Sequence, residues 1–357
     1  MRGSNDMVHN NGTGVARPLS RRFFLTATGV GALTAGLAAC GSGGSAGSAP
    51  TTSAGPAAGG GGFPVTIDGA EGKAVIPARP QRVVTVGFMR DLDEAVSLGV
   101  NPLATTPASN FDSGLPPWVE AKLGGAKVEQ LSYEDSLPFE KIIALGPDLI
   151  LATDSYSLAD DYANLSAIAP TLSYAQDVAE DTWQTRVGRI GTALGREDEA
   201  DKLVAEVTSK IDAAKKQHGA ALAGKTFTFN LLNAEGALAT IILPADASAA
   251  FISQLGMKLS DKVTGLPQSG PAGRAVVAQE NTALLDADVV LFSFRNPEER
   301  AKVEADRLFQ ALPAVKRGAY VPLEVETALS LAFPSTLSIP YALDKIVPLL
   351  VQAAGKA

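Results

Sequence analysis

One unit occurs twice in this chain and narrows what it can fold into. Glu140-Lys-Ile-Ile-Ala-Leu145-Gly-Pro-Asp148-Leu-Ile-Leu-Ala152 and Glu280-Asn-Thr-Ala-Leu-Leu285-Asp-Ala-Asp288-Val-Val-Leu-Phe292 share one layout. Each reads Glu, four residues, Leu, two residues, Asp, then four apolar residues. The first half has the spacing of a short amphipathic helix, and the second half is a fully apolar run of strand length. Short strands that are apolar on both faces belong to parallel sheets covered by helices on both sides. Two copies at the same internal spacing predict two α/β lobes of similar build.

The surrounding segments fit. Strands are predicted at Arg82–Val86, Leu103–Thr106, Thr171–Tyr174, Thr226–Leu232, Leu238–Leu243, Asp288–Phe294 and Ala319–Leu323. Helices are predicted at Asp91–Gly99, Tyr162–Ala169, Ala247–Leu255, Glu298–Leu312 and Ile339–Ala354. Such alternation argues for parallel α/β architecture. Between the two halves, Leu203, Val207, Ile211, Ala214 and His218 recur at helical spacing. Acidic residues open this stretch, Lys215, Lys216 and His218 close it, and Gly219 reads as its stop. A helix over Glu197–His218 spans roughly 33 Å and can serve as a spine between lobes.

The first sixty residues have a different character. Arg21-Arg22-Phe-Phe-Leu25 opens an uncharged stretch that ends Leu37-Ala-Ala-Cys40. A basic start, an apolar run and small residues before a cut mark a signal peptide over residues 1–39. The paired arginines resemble a twin-arginine export signal, and Leu-Ala-Ala-Cys resembles a lipobox, which makes Cys40 the lipidated mature N-terminus. Residues 41–62 contain only Gly, Ser, Ala, Thr and Pro, a tether of roughly 25 Å root-mean-square reach. Removal of residues 1–39 leaves a net charge of -11 and His218 as the only histidine. That balance speaks against nucleic acid as a partner. One histidine and one cysteine exclude a cluster of imidazole or thiolate metal ligands.

Two motif matches carry no chemistry. Gly43-Gly-Ser45-Ala-Gly47 fits a hydrolase nucleophile pattern but lies in the tether, without a strand before it and a helix after it. Gly219-Ala-Ala-Leu-Ala-Gly224-Lys225-Thr226 spells a P-loop. A P-loop needs a strand before it and a helix after it; here the order is reversed.

The chain from about Phe63 to Leu350 resembles the iron-siderophore substrate-binding lipoproteins of ABC transporters, of actinobacterial type, a group with cobalamin- and haem-binding relatives. The likeness is carried by Arg82-Val-Val, Lys122-Leu-Gly-Gly125, Leu137–Leu151, Leu165–Thr171, Leu312–Tyr320 and Tyr341–Leu350, all in order. It implies an α/β fold of two Rossmann-like lobes with parallel sheets, joined by one long α-helix, with a ligand cleft between them. The lobes would be residues 63–195 and 223–357, with the helix at 196–222. It further implies a monomeric, extracytoplasmic, lipid-anchored binding protein that is not an enzyme, with no catalytic residue and no cofactor or metal of its own. Its partners would be a ferric siderophore and an ABC permease dimer with its ATPase. The alternative on the same scaffold is haem or cobalamin. By the same resemblance, Glu140 and Glu280 would dock to permease arginines.

Small molecules bind α/β sheets at the carboxyl ends of the strands. The residues expected there are Phe88, Arg90, Asn110, Phe111, Tyr156, Asn233 and Arg295, with Arg274 in the loop before the second unit and Trp183 at the cleft edge. The arginines are expected to meet the oxygens of an anionic chelate.

Overall fold

The computed structural model describes residues 62–132 and 136–357. Residues 1–39, Cys40 and all but the last residue of the tether lie outside the described residues. No helix among the described residues is long and apolar enough to cross a membrane.

The first lobe begins with an antiparallel hairpin, β1 (Val65–Asp68) and β2 (Lys73–Ile76), that the sequence reading did not anticipate. A parallel sheet follows, made of β3 (Val83–Thr85), β4 (Ala104–Thr105), β5 (Glu129–Gln130), β6 (Leu149–Ala152) and β7 (Thr171–Ser173), in the order β5-β4-β3-β6-β7. Its helices are α1 (Arg90–Ser97), α2 (Pro117–Leu123), α3 (Phe139–Leu145), α4 (Leu158–Ile168) and α5 (Trp183–Leu194). Every residue of β3 and β6 is buried, as the apolar runs required.

The spine, α6 (Glu197–Leu222), runs past the Gly219 stop that the local pattern suggests. Gly219 does not stop it. A glycine inside a helix costs about 1 kcal/mol relative to alanine, and Leu222, fully buried in the core, offsets this by carrying the helix one more turn. Gly224, with φ +74°, makes the left-handed turn instead.

The second lobe contains β8 (Thr226–Leu232), β9 (Leu238–Ile241), α7 (Ala247–Gln254), β10 (Lys258–Leu259), α8 (Asp261–Thr264), β11 (Arg274–Val276) and a 3₁₀ helix at Gln279–Leu285. It continues through β12 (Val289–Ser293), α9 (Pro297–Glu304), α10 (Arg307–Gln310), α11 (Pro313–Lys316), β13 (Tyr320–Leu323), α12 (Val325–Ala332) and α13 (Ser338–Ala354). Its sheet is mixed rather than parallel: β10, β12 and β13 pair in parallel, but β9 pairs antiparallel with both β8 and β11. The loop between β8 and β9 is too short for a crossover and forms a hairpin. The helix expected over Glu298–Leu312 is broken, because Asp306 turns its carboxylate onto the amides of Leu308 (2.8 Å) and Phe309 (3.0 Å) and caps α10.

The repeated unit has the same structural task in both lobes. Asp148, just before β6, accepts from the amides of Gln81 and Arg82 at 2.8 Å each, where the chain approaches β3. Asp288, just before β12, accepts from the amide of Thr226 at 2.7 Å and its hydroxyl at 2.9 Å, where β8 starts. Each aspartate sets two parallel strands level. The Thr226 amide bond holds the Asp288 carboxyl below the usual carboxylate range, against partial burial. A depressed folded value gives stability that is present above the unfolded pKa and lost as pH falls through the folded one. Asp288→Ala is therefore expected to lose about 1–2 kcal/mol at neutral pH. The gap from the parent protein should narrow in urea unfolding at acid pH.

The lobes share more than the spine. One apolar core includes Leu149 and Leu151 of the first sheet and Phe227 and Val289 of the second, through α5, α6 and α13. A second cluster joins Met89, Leu92 and Trp118 of the first lobe to Leu329, Phe333 and Tyr341 of the second.

Candidate functional site

Three loops at the carboxyl ends of β3, β4 and β6 enclose a cavity of about 220 Å³, lined among others by Phe88, Thr106, Pro107, Ser155, Tyr156 and Ser157. This is where a parallel sheet leaves helix amides and loop side chains free to meet a ligand. Tyr156 projects with 63% of its surface exposed. Phe88 meets Phe333 of the second lobe edge-on, with ring centroids 4.9 Å apart. A larger cavity of about 360 Å³, walled by Leu232, Val276, Gln279, Lys302, Asp306 and Phe309, contains none of the residues expected to bind.

The cavity loops are locked by a reciprocal pair of carboxylates. Asp154, at the end of β6, accepts from the amides of Met89 (2.9 Å) and Arg90 (2.8 Å) and so caps α1 from outside its own segment. Asp91, in the first turn of α1, accepts in return from the amide of Thr153 (3.2 Å), its hydroxyl (2.5 Å) and the amide of Asp154 (3.3 Å). Burial, then the neighbouring Asp154 charge, push Asp91 up to about 6. Gly87 sits where these carboxylates cross: an added Cβ would lie 2.2 Å from Asp91 Oδ2 and 2.7 Å from Asp154 Cβ. Only glycine fits there.

This lock changes the expected role of Arg90. Its guanidinium is 5% exposed, donates from Nε to Asp154 Oδ1 at 2.7 Å, and forms a close ion pair with the same oxygen. It also lies 5.5 Å from the Phe333 ring centroid. Arg90 is a brace of the cavity rather than a free cation within it. Arg186 of α5, fully buried behind it, has no partner for Nε or Nη1. Burial and the Arg90 charge lower its pKa.

The other two arginines are also paired. Arg274 bonds Asp246 at 2.7 Å. It opens β11 opposite Ile241, on the side of β9 away from the carboxyl end of β8, because β9 reverses direction. Arg295 does follow β12, but Glu299 takes its Nε at 2.6 Å and its backbone amide at 3.0 Å. Its Nη2 donates to the Asn233 carbonyl at 3.3 Å, so the structure brings these two expected residues together. The Asn233 side chain accepts from Ala237 N at 2.8 Å and closes the β8–β9 turn. Each of the three guanidiniums expected to meet an anionic chelate has a carboxylate partner in this structure.

Asn110 is exposed and Phe111 half-buried in the loop after β4, and the Phe111 ring meets Trp118 edge-on at 6.0 Å. Trp183 opens α5 and is 7% exposed, within the apolar core. The sequence pattern does not single out Ser157 and Pro107, although they follow β6 and β4, nor Phe333, which no local pattern ties to the first lobe.

Glu140 and Glu280 are both exposed. Each is the second residue of its helix, although the second helix is 3₁₀ rather than α. Each helix runs back against the strand that follows it, so both glutamates lie toward the carboxyl ends of the sheets.

The family model described as Periplasmic binding protein matches residues 103–323. The Iron(3+)-hydroxamate-binding protein YxeB of Bacillus subtilis is 30% identical over 152 residues, which are 43% of this chain and 42% of that protein. The chain thus matches less than half the length of that curated relative. A periplasmic solute binding protein from Mycobacterium smegmatis superposes with a TM-score of 0.71 at 29% identity, covering 82% of this chain and 99% of that one. Streptococcus pneumoniae PiaA in complex with ferrichrome gives a TM-score of 0.68 at 27% identity, covering 82% and 99%. With the family match spanning more than half of the sequence, the chain belongs to the periplasmic binding protein family.

Proposed function

We propose that this protein is the extracytoplasmic substrate-binding component of an ABC importer and that it captures a ferric hydroxamate siderophore. The observation that carries the choice of chelate is the absence of a lysine or arginine among the residues lining the 220 Å³ cavity. Three hydroxamates cancel the charge of Fe³⁺ and give a neutral complex, whereas three catecholates leave a trianion that calls for unpaired cations. Aromatic Phe88 and Tyr156 with the hydroxyls of Ser155 and Ser157 suit a neutral, oxygen-rich surface. The hydroxamate-binding relative and the ferrichrome-bound neighbour support the same class. The cavity receives one edge of such a chelate, and the rest lies in the cleft. The iron arrives already chelated.

In this reading Cys40 carries the lipid that holds the protein at the outer face of the membrane. Glu140 and Glu280 meet the two subunits of the permease.

Trp118 is the natural reporter, since its ring is 5.1 Å from Tyr341 and 6.0 Å from Phe111 in the cluster that backs Phe88. Fluorescence titration is expected to show saturable quenching by ferrichrome with a dissociation constant at or below about 1 μM, near -8 kcal/mol. Ferric tris-catecholate, ferric citrate and haem should be at least about tenfold weaker. Preferential quenching by a catecholate, or a Soret shift with haem, would overturn the assignment.

A further inference from the structure

The strand starts of the second lobe form a basic face on an acidic protein. Lys225 precedes β8, Lys258 opens β10, Lys262 lies in α8, Lys316 closes α11 and Arg317 leads toward β13. Lys225 Nζ donates to the Ala357 carbonyl at 3.2 Å, which brings the neighbouring Lys356 to the same side. Hydrogen bonds knit these segments together. Lys258 N donates to the Lys225 carbonyl, Lys262 Nζ to the Asp286 carbonyl and Arg317 Nη2 to the Asp288 carbonyl, each at 2.9 Å. Together they surround an open basin of about 510 Å³.

Charge is unevenly divided in this lobe. Residues 223–357 carry 12 basic and 13 acidic side chains. Six of the basic ones belong to this face, against the three carboxylates Asp261, Asp286 and Asp288. The rest of the lobe therefore holds six basic and ten acidic side chains. The face carboxylates are also engaged: Asp261 pairs with Lys258 at 2.9 Å, Asp286 accepts from the Ala314 amide at 2.9 Å, and Asp288 holds Thr226. Lys316 and Lys356 are exposed and form no ion pair among the described residues.

The described chain begins on the corresponding side of the first lobe. The Phe63 ring lies against Gly195, where an added Cβ would come within 2.7 Å of it. Arg79 Nη2 donates to the Gly195 carbonyl at 2.7 Å, and the chain then enters β3 past Asp148, at the amino ends of the strands. The 26 residues of α6 run from just after Gly195 to just before Lys225, a rise of roughly 39 Å. Phe63 and the basic face thus mark two ends of one side of the molecule. The cavity at Phe88 and Tyr156 opens at the opposite ends of the strands. Glu197, Asp198 and Glu199 lie at the Phe63 end of α6, where a covalent anchor needs no help from charge.

We propose that the strand-start face of the second lobe rests on anionic lipid headgroups. Lipid at Cys40 and this basic face would then hold the protein at two points, with its cavity turned away from the membrane. The pose rests on the membrane location proposed above and is independent of which chelate binds. Charge complementarity names the partner: ammonium groups and a guanidinium meet phosphate oxygens, while the acidic remainder of the surface is repelled. Screening over about 10 Å at 0.1 M salt confines the attraction to the face itself, so an acidic protein can still present it.

The test is flotation of the processed chain from residue 40, carrying Cys40→Ser to remove the lipid, with phosphatidylcholine vesicles. One set contains about 30% phosphatidylglycerol and the other none. At about 50 mM salt the bound fraction should be at least about fivefold higher on the anionic set, and the excess should vanish at about 500 mM. K258E/K316E/K356E should abolish that excess. K73E/K302E/K345E makes the same change in net charge at exposed lysines outside the face and should keep most of it. Both variants should unfold at the urea midpoint of the parent protein. No preference for anionic vesicles in the parent, an excess retained by K258E/K316E/K356E, or equal losses in the two variants would each overturn the proposal. None of these outcomes involves ferrichrome, so failure here and failure of the chelate assignment are read separately.

Discussion

Asp154→Ala is expected to lower the unfolding free energy by about 3–5 kcal/mol, the range for removing one partner of a buried ion pair. The carboxylate has two tasks at one spot. It caps α1 through the amides of Met89 and Arg90, and it neutralises Arg90 with Nε at 2.7 Å. Its loss leaves the Arg90 and Arg186 guanidiniums buried side by side, both within the interior of the first lobe. That is a large share of a net stability of about 5–15 kcal/mol, so the variant should show a large fall in urea midpoint. Asp154→Asn keeps a carbonyl for the helix amides but no charge for Arg90, and should fall between the two. Because Phe88 and Tyr156 flank this lock, ferrichrome quenching should weaken in both variants. A midpoint within about 1 kcal/mol of the parent would show that water replaces the carboxylate.

The second large effect is on transport. The double variant Glu140→Ala, Glu280→Ala should bind ferrichrome within about twofold of the parent protein, yet reduce uptake more than about tenfold in cells that depend on it. Each glutamate alone should have a partial effect. Both are exposed at the second position of equivalent helices, and neither lines the cavity. A helix N-terminus also favours an acid by about 0.3–1 kcal/mol, so unfolding in urea separates the outcomes. Unchanged uptake with lowered stability would leave dipole stabilisation as their whole role, and lost ferrichrome affinity would place them in the ligand site.

How far the chain was legible depended on the range of each interaction. The apolar runs Leu149–Ala152 and Val289–Ser293 are local patterns, and both became buried parallel strands. Asp148 and Asp288 stood out by spacing, but their reason was not visible, because the amides they hold are more than sixty residues away. The direction of β9 was misjudged for a related cause: a strand has no local mark of the neighbour it will pair with. Arg90 followed a strand as expected, and nothing nearby in sequence showed that Asp154 would claim it.

Local patterns were enough for two α/β lobes and the helix between them. Periodicity and the repeated unit are short-range properties, and hydrophobic burial acts on them directly. The pairing of Arg90 and the contacts between the lobes come from the packed fold alone. Those depend on which carboxylate reaches which guanidinium, and which hydroxyl reaches Glu94, across 64 and 242 residues. Buried polar groups must be paired or neutralised where the fold puts them, so their partners follow from packing.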